Sequence, residues 1–211
     1  DQSGEGAIDY VDIVSVKIKI ANSQLTAEYL HSDDYLQKWG ITSDTVWQGN
    51  GFKLNTMITK DQVLDAQEKW GNGVVKIGSL KAQRTECEEF ASSFLDERYS
   101  FETGTVLFKP TKCELEQFRP TKAEALSYFI AGEDRACDED KGFAIQPWTK
   151  VRFENTGVIL EEKRAIAMGN YFFTDLEGNE AKVEYTFGYK VINGELKIDV
   201  HHSSFPFVMA K

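Results

Sequence analysis

Histidine, cysteine and long apolar runs are scarce in this chain, and each shortage removes a class of chemistry. Only three histidines occur, His31, His201 and His202. A three-histidine zinc site would need all of them, yet neighbouring residues of a strand point to opposite faces. Cys87, Cys113 and Cys137 lie 26 and 24 residues apart, with no C-x-x-C. So sparse and odd a set reads as reduced thiols, not as a disulfide framework or a thiolate metal site. The longest stretches free of Asp, Glu, Lys and Arg, 165–174 and 200–210, are ten and eleven residues. A membrane helix needs roughly 20 apolar residues, so no membrane partner is expected. Basic charge is short as well: 24 Lys and Arg face 34 Asp and Glu, a net charge of −10. No dense Lys/Arg run offsets this, which argues against nucleic acid and anionic surfaces as partners. A phosphate loop, a G-x-S-x-G elbow and an H-E-x-x-H motif are all missing. The chain opens Asp1-Gln2-Ser3-Gly4 without Met, which reads as a processed piece of a longer precursor.

What is present suits one fairly large domain with an extension. The 211 residues include 12% aromatics, enough to bury a real core. Residues 1–57 read as an N-terminal extension and 58–211 as the main domain. In the extension Val14, Val16, Ile18 and Ile20 alternate with polar residues, a strand signal. Mixed helix and loop is expected from there to Asn55, with turns at Gly40 and Gly49-Asn50-Gly51. In the main domain Thr59 and Gln62 fit a capping box. Val63, Ala66, Trp70, Val74 and Ile77 then recur as one buried helix face. Gly71, Gly73 and Gly78, costly inside a helix, imply close packing or a kink. A second helix is expected over Glu86–Asp96 and a short strand over Thr105–Thr111. A third helix follows the capping box at Thr121–Glu124 and stops at Gly132. From Trp148 the pattern turns to strands around Val151–Glu154, Ala165–Thr174, Lys182–Ile192 and Glu195–Phe205. Gly178-Asn179 and Asn193-Gly194 mark hairpins. Helices followed by a meander give an α+β fold: a curved antiparallel β-sheet wrapped around a long N-terminal helix.

The chemistry-bearing residues cluster late in the chain. His201, His202, Ser203 and Ser204 end the last strand, where imidazoles and hydroxyls exchange protons near neutral pH. The plainer alternative is a polar strand end. In a regular strand His202 and Ser204 share the apolar face of Leu196, Ile198 and Val200; a β-bulge would turn His201 and Ser203 inward instead. Tyr128 sits on an otherwise apolar helix and needs a hydroxyl partner if buried. Thr111 follows Pro110 at a strand end. Tyr185, Phe187 and Tyr189 alternate on one face, as core or as the wall of a dry pocket.

Seven ordered motifs carry a resemblance: Trp70 to Gly78, LFKPT (107–111), FRPTKAEALSYF (118–129), GFAIQPWTKVRFEN (142–155), AMGNYFF (167–173), KVEYTFGY (182–189) and HHSS (201–204). Together they resemble the iota-class carbonic anhydrases, over about residues 60–207. The resemblance implies a cone fold like nuclear transport factor 2 and the kinase association domain. It implies reversible hydration of CO2 to bicarbonate, with CO2, bicarbonate and water as small-molecule partners. Some members are described as metal-free and diatom relatives as linked to manganese; the residue inventory here favours no metal cofactor. Carried onto this chain, the site residues are Thr111, Tyr128, His201 or His202, and Ser203 or Ser204. The resemblance further suggests a homodimer through the outer sheet face, and a plastid location with the cytoplasm as alternative. Two other readings stand beside it: a non-catalytic association module, and a small-ligand-binding or isomerase protein with Glu184 as its carboxylate.

Overall fold

A computed structural model describes residues 57–209 in full and, in the preceding chain, the backbone of two strands. These are β1 (Ser15–Ala21) and β2 (Gln24–Leu30), antiparallel, with Ala21 opposite Gln24. β2 stands where mixed helix and loop is expected; its alternation of Leu25, Ala27 and Tyr29 with Thr26 and Glu28 has the strand period of two. The turn signals at Gly40 and 49–51 lie outside the described residues. The chain divides into two compact units, Asp1–Lys53 and Leu54–Lys211, and the second holds everything that follows.

Thr59 caps α1 (Lys60–Ser79) with the reciprocal bonds of a capping box, its own amide donating to Gln62 Oε1 at 2.8 Å. The helix is unbroken, so its glycines serve packing. A Cβ at Gly71 would press on Val151, and one at Gly78 on the carbonyl oxygens of Ala144 and Gln146. α2 (Arg84–Arg98) runs two residues past the expected span at each end and buries Cys87, Ala91, Phe94 and Leu95. α3 (Lys122–Ile130) opens on the capping box of Thr121 and Glu124 and ends at Ala131.

Five strands form the main sheet: β3 (Leu107–Lys109), β4 (Lys150–Leu160), β5 (Arg164–Thr174), β6 (Glu180–Ile192) and β7 (Glu195–Ser204), in the order β3-β7-β6-β5-β4. β4 to β7 make the expected antiparallel meander. β3 departs from it, running parallel to β7 with Phe108 opposite His201. Hairpin turns fix direction only between consecutive strands, and no hairpin joins β3 to β7. The inner face carries Ala165, Ala167, Tyr171 and Phe173 from β5 with Val183, Tyr185, Phe187 and Tyr189 from β6, all buried. Trp70 of α1 lies among these rings, 5.4 Å from Phe187 and 5.8 Å from Tyr171 between centroids.

Two strands carry an extra residue. In β4 the register shifts between Asn155 and Gly157 opposite Gly169 and Met168. A Cβ at Gly169 would collide with the Glu154 carbonyl oxygen and the Thr156 amide, whereas Gly157 faces open space. Gly169→Ala is therefore expected to lower unfolding free energy by about 1–3 kcal/mol. Gly157→Ala should stay within about 0.5 kcal/mol of the parent. Urea unfolding of both variants checks this; equally small effects would mean that β4 and β5 separate freely at this point.

Candidate active site

The second extra residue decides which side chains of β7 enter the interior. Tyr189 pairs with Ile198, but Gly188 pairs with Val200, leaving Asp199 as the bulged residue. Its carboxylate holds Arg164 of β5 by two bonds, 2.7 and 3.1 Å. The reach across β6 passes over Gly188, where a Cβ would stand 2.9 Å from Val200 Cβ and 3.1 Å from Asp199 Oδ1. Beyond the bulge Phe187 pairs with His201 and Tyr185 with Ser203. His201 and Ser203 are buried; His202 is exposed and Ser204 half-buried. The regular-strand expectation of His202 and Ser204 inside is thus replaced by its bulged alternative. Ser204 Oγ donates instead to Glu184 on the outer side, at 3.0 Å, so Glu184 does not face the interior.

A continuous line of polar contacts starts deep in the core. Trp70 Nε1 donates to the Tyr99 hydroxyl at 2.9 Å. That hydroxyl lies 2.8 Å from His201 Nδ1, and His201 Nε2 lies 3.4 Å from the Tyr171 hydroxyl. The Ser203 and Thr111 hydroxyls also bear on the Tyr171 phenol, offsetting part of the rise that burial imposes on it. Thr111 Oγ1 donates to Ser203 Oγ at 3.0 Å, and Thr111 lines the same cavity as Tyr128. The Tyr128 hydroxyl accepts from the Lys112 amide at 3.4 Å. Aromatic rings enclose the line: Phe108 stacks on His201 at 4.5 Å and Phe187 meets it edge-on at 4.4 Å.

Burial sets the protonation of these groups. It drives His201 well below its usual 6.5, with His202 adding to the fall. It drives the phenols of Tyr99, Tyr128 and Tyr171 above 10. At neutral pH all four are uncharged, and the phenols keep their protons for donation. A cavity of about 500 Å³ opens beside Thr111, Tyr128 and Phe143, with Lys112, Glu114, Glu139 and Lys141 also on its wall. Thr111, Tyr128 and Ser203 therefore meet at or just behind this cavity. His201 supports them from within, and His202 and Ser204 stand outside.

Two carboxylates join the loop carrying Thr111 to the helix carrying Tyr128. Asp140, fully buried, pairs with Arg119 at 2.7 Å and accepts from Ser127 at 2.5 Å. Glu139 accepts from the amides of Glu114, Leu115 and Glu116, which lowers its carboxyl to about 2. The sequence shows residues 133–141 only as a charged loop. It also gives no special place to Tyr99, and to Tyr171 only that of bulk. The available signal, for Tyr171 alone, was a phenol at an apolar position, which must find a partner when buried. Among the described residues no group of three or more His, Cys, Asp or Glu could hold a metal ion. No described helix is long and apolar enough to cross a membrane. The three cysteines are free, and burial raises the Cys113 thiol to about 12.

Comparison with known proteins bears on this cluster. Residues 61–205 match the metal-independent carbonic anhydrases as a family. A metal-independent carbonic anhydrase of Nostoc sp. (strain PCC 7120) is 38% identical over 158 residues, which is 73% of this chain and 77% of that protein. The crystal structure of an iota-carbonic anhydrase from a cyanobacterium, complexed with bicarbonate, matches with a TM-score of 0.71 and 34% identity, over 76% of this chain and 99% of that one.

The protonation states imply a pH dependence of stability. His201 is depressed in the folded chain, so the unfolded chain binds the proton first. Full stability holds above about 6.5 and falls as the pH drops from there toward the folded value. Glu139, lowered to about 2 from 4.5, adds a second loss between those values. Melting temperature against pH should fall between pH 7 and 5, and His201→Asn should flatten that stage alone. An unchanged slope in the variant would assign the acid loss to other groups.

Proposed function

We propose that this chain, which belongs to the metal-independent carbonic anhydrase family, carries out the reversible hydration of CO2 to bicarbonate at the hydroxyl cluster of Thr111, Ser203 and Tyr128. Carbonic anhydrase activity follows from the family; the assignment of site and chemistry is our reading. The observation that carries it is the 3.0 Å contact of Thr111 with Ser203 beside a cavity that Tyr128 and Phe143 also line. CO2 is apolar and linear, and the two rings offer it an apolar surface next to the hydroxyls. No group at the cluster is a base matched to neutral pH, since the phenols are raised and His201 is depressed with both nitrogens engaged. The cluster therefore acts by positioning water and by donating hydrogen bonds.

A relay through two neutral hydroxyls balances. The water oxygen bonds to carbon while its proton passes to Thr111 Oγ1. Thr111 gives its own proton to Ser203, and Ser203 gives its proton to a CO2 oxygen, which takes the electron pair of the opened C=O bond. Both hydroxyls end as they began, and the product is carbonic acid, which ionises to bicarbonate in water. Tyr128 holds the second CO2 oxygen.

Thr111→Val, Ser203→Ala and Tyr128→Phe should each lower turnover roughly a hundredfold, the scale of one lost donor in a dry site. Double variants should lose less than the product of the singles. His202→Ala and Ser204→Ala should keep near-parental turnover. Full activity in the Thr111 and Tyr128 variants would remove the site assignment. Exhaustive chelation should leave the rate unchanged; loss restored only by manganese would overturn the metal-free reading.

We also infer a homodimer through the outer sheet face, and a plastid location, with the cytoplasm as alternative, on the strength of the resemblance. Support for the dimer is an apolar patch: Ile159 and Ile166 are paired across β4 and β5, with Met168 beside them, and all three are exposed. Sedimentation should give twice the chain mass, and Met168→Glu with Ile159→Glu should return the monomer. A monomeric parent chain would end this inference.

A further inference from the structure

We propose that Tyr99, anchored by Trp70, is a positioning residue that holds His201 as the Nε2–H tautomer, so that the imidazole donates toward Tyr171 and sets the direction of the hydroxyl cluster. The inference rests on the cluster being the reaction site.

The direction follows from counting donors. An indole nitrogen only donates, so at 2.9 Å the Tyr99 oxygen accepts from Trp70. Tyr99 is buried, and His201 Nδ1 at 2.8 Å is the acceptor within its reach. Were Nδ1 to carry a hydrogen, the Tyr99 oxygen would accept twice and its own proton would lie buried without a partner, desolvated with no bond in return. With the phenol donating to Nδ1, every proton is used, and the imidazole hydrogen sits on Nε2, toward Tyr171. The Tyr171 oxygen then accepts, and its own proton is released toward the Thr111 and Ser203 hydroxyls, the other polar groups that bear on this phenol. Thr111 donates to Ser203, and the Ser203 proton is left over for the substrate. A reversed imidazole would turn Tyr171 back toward Nε2 and withdraw that donation. Packing fixes the ring for this role, with Phe108 on its face and Phe187 at its edge. The anchor is covalently distant: Tyr99 follows α2 and meets β7 through an isolated parallel bridge to Ile198, three residues before His201.

The test is long-range ¹⁵N–¹H NMR of the three histidines, with His201→Asn identifying the signal. The parent protein should show His201 with a hydrogen-free Nδ1 and a protonated Nε2 between pH 6 and 8. Tyr99→Phe, which removes one oxygen and keeps the ring, should shift that signal toward the other tautomer. It should also lower kcat roughly tenfold, the scale for losing a partner that orients a working group, with KM little changed. An Nδ1–H signal in the parent protein would overturn the proposal without any variant. So would a Tyr99→Phe protein with the parental tautomer and kcat. The tautomer is read without turnover, so a wrong reaction site and a wrong positioning residue give different results.

Discussion

Everything at the site depends on one extra residue in β7. Strand side chains alternate with a period of two, so a single insertion exchanges the faces of all that follows. Asp199 is that insertion, and it takes the two hydroxyl–imidazole pairs of the motif and chooses between them. Its hold on Arg164 is two-pronged but reaches solvent, with the guanidinium side chain 44% exposed and the carboxylate 11%. A pair so placed adds little to overall stability after screening. Its effect is on register: the carboxylate is tied across Gly188 to Arg164, which holds the extra residue at this point of β7. Specificity of this kind needs only a modest free energy, because the competing register also buries His202 among rings and exposes His201.

A polar line through an aromatic core is costly unless every member is satisfied. Here satisfaction is shared between elements that are distant in sequence: α1 gives Trp70, the end of α2 gives Tyr99, β5 gives Tyr171, and β7 gives His201 and Ser203. The line is rigid for the same reason. Each ring is fixed by neighbours at 4.4 to 6.5 Å between centroids, so no single hydroxyl can swing to water without leaving another unpaired. Stability and preorganisation therefore have one source.

Local chemistry was legible in the sequence wherever the deciding contacts are local. Both capping boxes, the apolar stripe of α1, the hairpins of the meander and the α+β class all depend on residues within about one turn of each other. The direction of β3 was not, because no hairpin ties it to β7. The bulge could be named as an alternative but not placed, because its cause is Arg164 meeting Asp199 across a third strand. Thr111, Tyr128 and the last motif were found through the resemblance and through hydroxyls on apolar elements. Tyr99 had no such mark: what sets it apart is a partner 102 residues away.

The division of labour between charged and neutral groups follows from the substrate. The ionised side chains around the site act on the frame. Arg119 and Asp140 are buried together, Ser127 completes the carboxylate, and Glu139 collects three amides of the loop after Thr111. They lock α3 to that loop and so fix Tyr128 against Thr111. On the assignment proposed above, the phenols, the hydroxyls and the imidazole of the cluster are uncharged. An ion buried among the rings around His201 would need its own partners or solvent; the charged side chains near the cluster stand on the cavity wall instead. Neutral donors stabilise developing charge less than a metal ion does, and a route through carbonic acid reduces how much charge must develop. On that assignment, hydroxyls whose loop and helix are tied together by carboxylates are one physical solution to hydrating CO2 with side chains alone.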